Sequence, residues 1–577
     1  MNHKLLPYFL FLIGLAVFGV GCDGEMLSGD ELFTIYFSQW KVRDLVPILF
    51  EHNNIPPTFE YLLHHWLQAF STDAFVLRML PVIFSAATVP AIFLIGKKMG
   101  GNFIGGWAAF FFLLCPFQME WAHLLRSYSM MIMGASWSMY FFISFLENKK
   151  NNALAGWIFF SFIAASAHYL SWLVIFTQGI AWLAIPGLFK KEDLKKVVLS
   201  FLILLALSSP ILFYLIKRLL LTASEGTYIQ PTEHLGEVFR ELFKMVSPSV
   251  YMLRLLILFA TWALLTSIFS YTFGLKKKLV FVLFTISCFT AISWGFTMEN
   301  ENVKAFLQNK IILYVFFIWT WATLWVWIRK SNDSWASKII VLWLVVPFSI
   351  MFFASFKIPM FVDRYLSFIS PSIILLIPLI FRGLPRPAYS FTIASAAIIA
   401  LINFQFYVDR PTHPDQIMAQ FKKFKKMDTP AIWAPGYCDL IWSYYYNREI
   451  FENAQWQAAD TLGTRIVREE GYTVHKEGIR RQLRNEGIFI ANDTSLLDLD
   501  LSMCSELVFV DGHSEYVYPN NGLRAKIEKE FGPPVEEHTF DGNARVSRYA
   551  RANSRFSILD SQFSILDSKF ETCNAIK

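Results

Sequence analysis

Long apolar runs separated by short polar stretches fill the chain as far as residue 406 and then stop. A transmembrane helix needs about 20 mostly apolar residues. By that measure the pattern predicts about thirteen, near 5–22, 75–96, 103–118, 127–146, 153–170, 172–189, 197–216, 250–273, 279–297, 311–328, 338–356, 366–381 and 388–406. The connection between the first two, 23–74, is different, because ELFTIYFSQWKVRDLVPILF and NNIPPTFEYLLHHWLQAF are amphipathic and a Pro-Pro break divides them. That pattern predicts two interfacial helices lying on the bilayer surface. From residue 407 charge and turn residues take over. Short apolar stretches such as AIWA (431–434), GIFIAN (487–492) and LVFV (507–510) alternate with helix-like EGIRRQLRNEG and NGLRAKIEKEFG, which predicts a small α/β domain over 407–552. Residues 553–577 form a tail in which FSILDSQ is followed at once by FSILDSK, a duplication to which we assign no function.

The expectation is therefore a polytopic α-helical membrane protein with a soluble C-terminal domain, and composition agrees. Of 577 residues 55% are hydrophobic and only 17% charged, where soluble domains carry about a quarter. A single water-soluble core is excluded, and the lipid bilayer is the first partner implied. The net charge of +6 does not point to nucleic acid, because the basic residues before residue 400 gather in short loops between apolar runs. Lys4, Lys97 with Lys98, Lys149 with Lys150, the group Lys190, Lys191, Lys195 and Lys196, Lys276 to Lys278, Arg329 with Lys330, and Arg382 with Arg386 fall on alternate loops. Basic loops stay on the cytoplasmic side. The N-terminus is thus expected in the cytoplasm, with an uncleaved first span, and the 23–74 loop and the C-terminal domain outside. Six cysteines show no CxxC spacing, so no zinc site is indicated, although Cys438 and Cys504 could pair.

Candidate chemistry collects at the outer ends of the predicted spans. SGDE, just after the first, suits a helix N-terminus with Ser28 as N-cap and Asp30 and Glu31 in the first turn. Arg78 stands at the outer boundary of the second span. The sequence QMEWAHLLRSYSM puts Glu120, His123, Arg126 and Tyr128 at the outer edge, the first three at a spacing that shares one helical face. AHYLSW adds His168 and Tyr169, and DRYLSF adds Asp363, Arg364 and Tyr365. Each has a plain reading as an interfacial anchor or an interhelical hydrogen bond. Their repeated placement on one side of the membrane makes them functional-site candidates. His64 and His65, adjacent on a helix, point about 100° apart and make a poor chelating pair.

The order SGDE, NNIPPTFEYLLHHW, FVLRMLPVIFSAATVPAIFLIGKKMGG, LLRSYSM and AHYLSW, with DRYLSFISPSIILLI later, resembles the membrane-embedded GT-C glycosyltransferases of the dolichyl-phosphate-mannose protein mannosyltransferase type, whose bacterial relatives include the lipid A aminoarabinose transferases. The resemblance covers about residues 25–190 well and 361–380 more weakly. It implies a polyprenyl-phosphate sugar donor and a catalytic acid just after the first span, which falls on Asp30 with Glu31 beside it. It also places a GT-C-like catalytic domain over 1–406.

The chemistry fits that placement. A lipid-phosphate donor keeps its tail in the bilayer and its sugar at the interface. Inverting transfer needs a base for the acceptor's proton, the expected role of Asp30, and a cation for the departing phosphate, a role suited to Arg364 or Arg126 with Tyr365 or Tyr128 beside it. Arg78, His168 and Tyr169 complete the expected substrate-binding set. No cofactor is required, and a divalent metal is left open. The expected enzyme moves one sugar to an unidentified acceptor (protein, lipid or glycan) on the outer face of the inner membrane. Two other classes are a transporter or flippase of lipid-linked sugars and a lipid-linked glycan polymerase or ligase.

Overall fold

The computed structural model describes residues 5–225, 334–406, 413–451 and 477–551, short internal gaps apart, with scattered residues between 241 and 329. The expected spans at 250–273 and 279–297, most of that at 311–328, and the tail from 553 lie outside the described residues. The chain divides into two compact units, one of the described residues up to 406 and one of those from 413 onward.

The first unit is helical throughout. In chain order it comprises α1 (Leu6–Gly19), α2 (Gly29–Ser38), α3 (Val42–His52), α4 (Thr58–Ala69), α5 (Ala74–Gly100), α6 (Asn102–Leu113), α7 (Pro116–His123), α8 (Tyr128–Asn148), α9 (Asn151–Ala167), α10 (Trp172–Ala184), α11 (Lys191–Leu207), α12 (Ser209–Glu225), α13 (Trp335–Ala354), α14 (Ser370–Ile380) and α15 (Arg386–Asn403). Among the described residues α5, α8 and α13 are long and apolar enough to cross a membrane, and the number rises to five if two bent pairs each count as one span. Those pairs correct the expectation of unbroken spans at 103–118 and 197–216: α6 and α7 meet at 57°, and α11 and α12 at 70°. Pro116 opens α7 and Pro210 lies in the first turn of α12. Proline has no N–H to continue the preceding helix, and its ring collides with the carbonyl four residues back.

Helix α5 is the hub, packed against α1, α6, α7 and α8. Small residues let the backbones approach. A Cβ on Gly14 would stand 2.9 Å from the Ala86 Cα, and one on Gly96 2.8 Å from the Gly105 Cα, so any larger residue would force α1 or α6 away from α5. The two ends of α5 carry opposite chemistry. Arg78 lies near its start, whereas Lys98 at its end pairs with Glu147 of α8. At 1.5 Å per residue these two positions are separated by about 30 Å, the thickness of a bilayer's hydrocarbon core.

The second unit is built on a mixed five-stranded sheet of β1 (Ala431–Ala434), β2 (Ile488–Ile490), β3 (Glu506–Asp511), β4 (Glu536–Thr539) and β5 (Arg545–Ala550), in the order β2-β1-β3-β5-β4. Strand β1 runs parallel to β2 and β3, while β5 runs antiparallel to β3 and β4. Helices α16 (Pro414–Phe424), α17 (Asp439–Tyr446), α18 (Glu477–Asn485) and α19 (Leu523–Phe531) accompany it. All four residues of β1 and five of the six in β3 are buried, which is why both read as continuous apolar runs. Ile432, Phe509, Leu523, Ile527 and Tyr549 form its core. No disulfide joins Cys438 and Cys504, so the pairing that the sequence left open does not form: Cys438 follows β1 at the start of α17, while Cys504 packs against the sheet core.

Candidate active site

The SGDE stretch folds as a helix start, and its two carboxylates part company there. The Glu31 carboxylate accepts the Ser28 N–H at 2.8 Å, while the Ser28 hydroxyl accepts the Glu31 N–H at 3.4 Å, a reciprocal cap on α2. The same carboxylate takes Arg78 Nε at 2.9 Å and Nη2 at 3.1 Å, and the Leu125 N–H at 3.1 Å. Arg78 in turn donates to the carbonyls of Cys22 and Met26. Both side chains of this pair are fully buried. Glu31 and Arg78, expected at the reaction centre, thus join α2, α5 and the chain around residues 22–26. Neighbouring helical residues point about 100° apart, so burying Glu31 leaves Asp30 on the outside of α2. The Asp30 side chain is exposed and has no hydrogen-bond or ion-pair partner among the described residues.

Glu31 also shapes the next element. The helical face expected for Glu120, His123 and Arg126 does not exist, because α7 ends at His123 and the backbone becomes extended at Leu124. That turn delivers the Leu125 N–H to Glu31. His123 Nε2 donates to the Phe18 carbonyl at 2.9 Å and ties α7 to α1. Arg126, released from the helix, swings toward α2 instead: its Nη1 donates to the Thr34 hydroxyl at 3.0 Å, and its guanidinium lies 5.9 Å from the Phe33 ring centroid. The Thr34 hydroxyl in turn donates to the Asp30 carbonyl at 3.1 Å. Arg126 is therefore two hydrogen bonds from the backbone of the exposed acid.

Residues distant in sequence close on the same place. His168 caps the end of α9, and its ring sits 6.1 Å from that of Tyr128 and 5.4 Å from that of Tyr365. Arg364 lies over the Tyr365 ring at 5.4 Å. The charges of both Arg126 and Arg364 bear on His168. The Leu170 N–H donates to His168 Nδ1 at 3.2 Å, so in the neutral ring the proton is on Nε2. That Nε2 is buried and has no hydrogen-bond partner among the described residues. The single turn Asp363–Leu366 that carries Arg364 is fixed from outside the cluster, the Asp363 N–H donating to Glu241 at 3.0 Å. Arg126, Tyr128, His168, Arg364 and Tyr365 are thereby brought together. Tyr169 is not: the groups whose charges bear on it are Arg218 and Tyr214 of α12.

Glu60 was missed by sequence reasoning. It sits on α4 with Phe59, Leu63 and His64, all buried. His64 Nδ1 donates to the Ser38 carbonyl at 2.8 Å and holds α4 against the end of α2. Its other nitrogen accepts from Gln68 at 2.8 Å, so the ring is structural. One turn earlier, Glu60 has neither carboxylate oxygen hydrogen-bonded among the described residues, and it is wholly buried. Burial pushes its carboxyl above the ordinary carboxylate range, and the nearby charge of Arg126 pulls it part of the way back. The signal was legible: an acid on the apolar stripe of an amphipathic helix, four residues before His64. Among the described residues no group of three or more His, Cys, Asp and Glu could hold a metal ion.

No protein-family model and no curated protein matches this chain. Among solved structures it is similar to ArnT from Cupriavidus metallidurans in the apo state, at 11% identity and a TM-score of 0.43, over 95% of this chain and 98% of that one. It is also similar to the archaeal oligosaccharyltransferase AglB from Archaeoglobus fulgidus in complex with an inhibitory peptide and a dolichol-phosphate, at 10% identity and a TM-score of 0.42, over 97% of this chain and 75% of that one. Likeness at this level carries no weight in assigning a function, which rests on the residues themselves.

Proposed function

We propose that this chain is a glycosyltransferase that moves a single sugar from a polyprenyl phosphate to an acceptor at the outer face of the cytoplasmic membrane, with Asp30 as the base of an inverting displacement. The observation that carries the reading is the meeting of Arg126, Arg364 and the Nε2 proton of His168, drawn from three distant parts of the chain. Cations and donors gathered in a buried place call for an anion, and planar guanidiniums suit the paired oxygens of a phosphate. The cluster stands at the Arg78 end of α5, about 30 Å along the helix from the Lys98 end. With the basic loops in the cytoplasm, a phosphate bound here has its lipid tail in the bilayer and its sugar outside.

Each group has a part in the proposed step. The donor is a phosphodiester carrying one negative charge, and breaking the bond from sugar to phosphate leaves a monoester with a second. Arg126, Arg364, the Tyr128 and Tyr365 hydroxyls and His168 Nε2 stabilise that growing charge, which lowers the barrier only so far as their contacts tighten in the transition state. Asp30, whose side chain has no hydrogen-bond or ion-pair partner among the described residues, takes the proton of the attacking acceptor hydroxyl or amine as its bond to the anomeric carbon forms. Glu31 and Arg78 act at a distance, by fixing the start of α2 and the Leu125 turn.

The flippase reading draws support from one feature, the broken pairs α6 with α7 and α11 with α12, since transporters place substrate sites at interrupted helices. Reconstitution with undecaprenyl-phosphate sugars separates the two. Asp30→Asn is expected to lower transfer, or donor hydrolysis, by about 10²- to 10⁴-fold with an unchanged melting temperature. Full lipid-linked sugar translocation by the variant, with no transferase activity in the native protein, overturns the enzyme reading.

A further inference from the structure

The cluster holds one group to which no role has been given. Glu60 is a carboxyl buried completely, with both oxygens unpartnered among the described residues, an arrangement that is costly unless a partner arrives in another state. Arg126 stands near enough for its charge to act on Glu60, yet no ion pair joins them, and the guanidinium instead donates to the neutral Thr34 hydroxyl. Charged groups also occur on the elements packed against α4: Asp30 and Glu31 on α2, Arg43 and Asp44 on α3, Arg78 on α5, and His168 at the end of α9. Of these Glu31 and Arg78 neutralise each other, and Arg43 lies beside Asp44 at 3.5 Å. Arg126 is the group whose charge bears on Glu60.

From this arrangement we infer that Glu60 and the phosphate of the lipid donor are alternative partners of Arg126, so that a neutral Glu60 leaves the guanidinium to the phosphate and an ionised one draws it away. The inference rests on the phosphate pocket proposed above and makes Glu60 a positioning residue that acts through Arg126. The direction follows from charge. Burial keeps Glu60 protonated at pH values where a surface glutamate is ionised. As pH rises through its elevated range the carboxylate forms, competes for Arg126 and loosens the phosphate. A phosphate in place opposes the ionisation of Glu60, since binding couplings are reciprocal.

The test is the binding of undecaprenyl methyl phosphate, a diester whose single charge is fixed across the range, to the full chain in nanodiscs between about pH 5.5 and 8.5. Native protein is expected to lose about five- to tenfold in affinity as pH rises. Glu60→Gln should bind at every pH about as tightly as native protein does at the acid end, with the slope lost. Glu60→Leu, which removes the carboxyl without a new donor, should behave alike and guards against an effect peculiar to the amide. Equal slopes in native and variant proteins remove Glu60 from the pocket while leaving the phosphate site standing. Absence of binding by any form at any pH overturns the phosphate site, and this inference with it.

Discussion

Two buried polar clusters in the helical unit differ in how far their hydrogen bonds are satisfied. Around Glu31, the carboxylate takes the Ser28 and Leu125 N–H groups and two nitrogens of Arg78, while Arg78 also donates to two carbonyls. Around Arg126, the Glu60 oxygens and His168 Nε2 are buried with no partner among the described residues. Both clusters remove polar groups from water, at about 1–3 kcal/mol for each group left without a hydrogen bond. The first recovers that cost within the protein and behaves as a clamp. The second leaves it unrecovered at the Glu60 oxygens and His168 Nε2, which is what the proposed phosphate site would need.

That contrast can be broken at several points. The largest effect is expected at the clamp: Arg78→Ala leaves Glu31 buried without its cation and should cost about 3–5 kcal/mol of stability. The apolar double variant Glu31→Leu with Arg78→Met should regain more than half of that loss, because it leaves neither charge behind. Unfolding in detergent measures both, and a melting temperature close to native for Arg78→Ala would mean that the pair holds nothing together. Next comes Arg364→Ala, which removes a charge-assisted contact of about 1.5–3 kcal/mol and should lower turnover at saturating donor about 10- to 100-fold with little change in melting. Unaltered turnover would return Arg364 to a merely structural place over Tyr365. The smallest effect belongs to His168→Phe, which keeps a ring between Tyr128 and Tyr365 but deletes the Nε2 proton. One neutral hydrogen bond is worth about 1 kcal/mol, so the donor's KM should rise about fivefold. Recovery in His168→Gln, whose amide can reach toward the same place, would tie the loss to the donor rather than to packing.

Legibility differed by element for physical reasons. Hydropathy locates α5, α8 and α13 within a few residues, because length and apolar content are properties of the local chain. It also read across the bends between α6 and α7 and between α11 and α12, although Pro116 and Pro210 stand in plain view, because a window average is blind to a missing N–H. The stretches AIWA and LVFV lie on β1 and β3. Their order and direction could not be read, since pairing is decided by partners far along the chain. Capping signals were more informative: Ser28 with Glu31 three residues later is a local device, and it forms as its spacing indicates.

The amino-acid order alone determined that this chain enters a membrane, that an acidic helix start follows the first apolar helix, and that cations, histidine and tyrosines recur at one set of helix ends. Those are consequences of local composition and periodicity, which act without reference to the rest of the fold. Only the tertiary structure decided which acid became the clamp and which stayed open, because that choice turns on Arg78 arriving from α5 and the Leu125 N–H from the turn after α7. It alone brought Glu60 within range of the Arg126 charge. A carboxylate's role is fixed by the donors and the solvent that the fold brings to it, and neither is written in its neighbours along the chain.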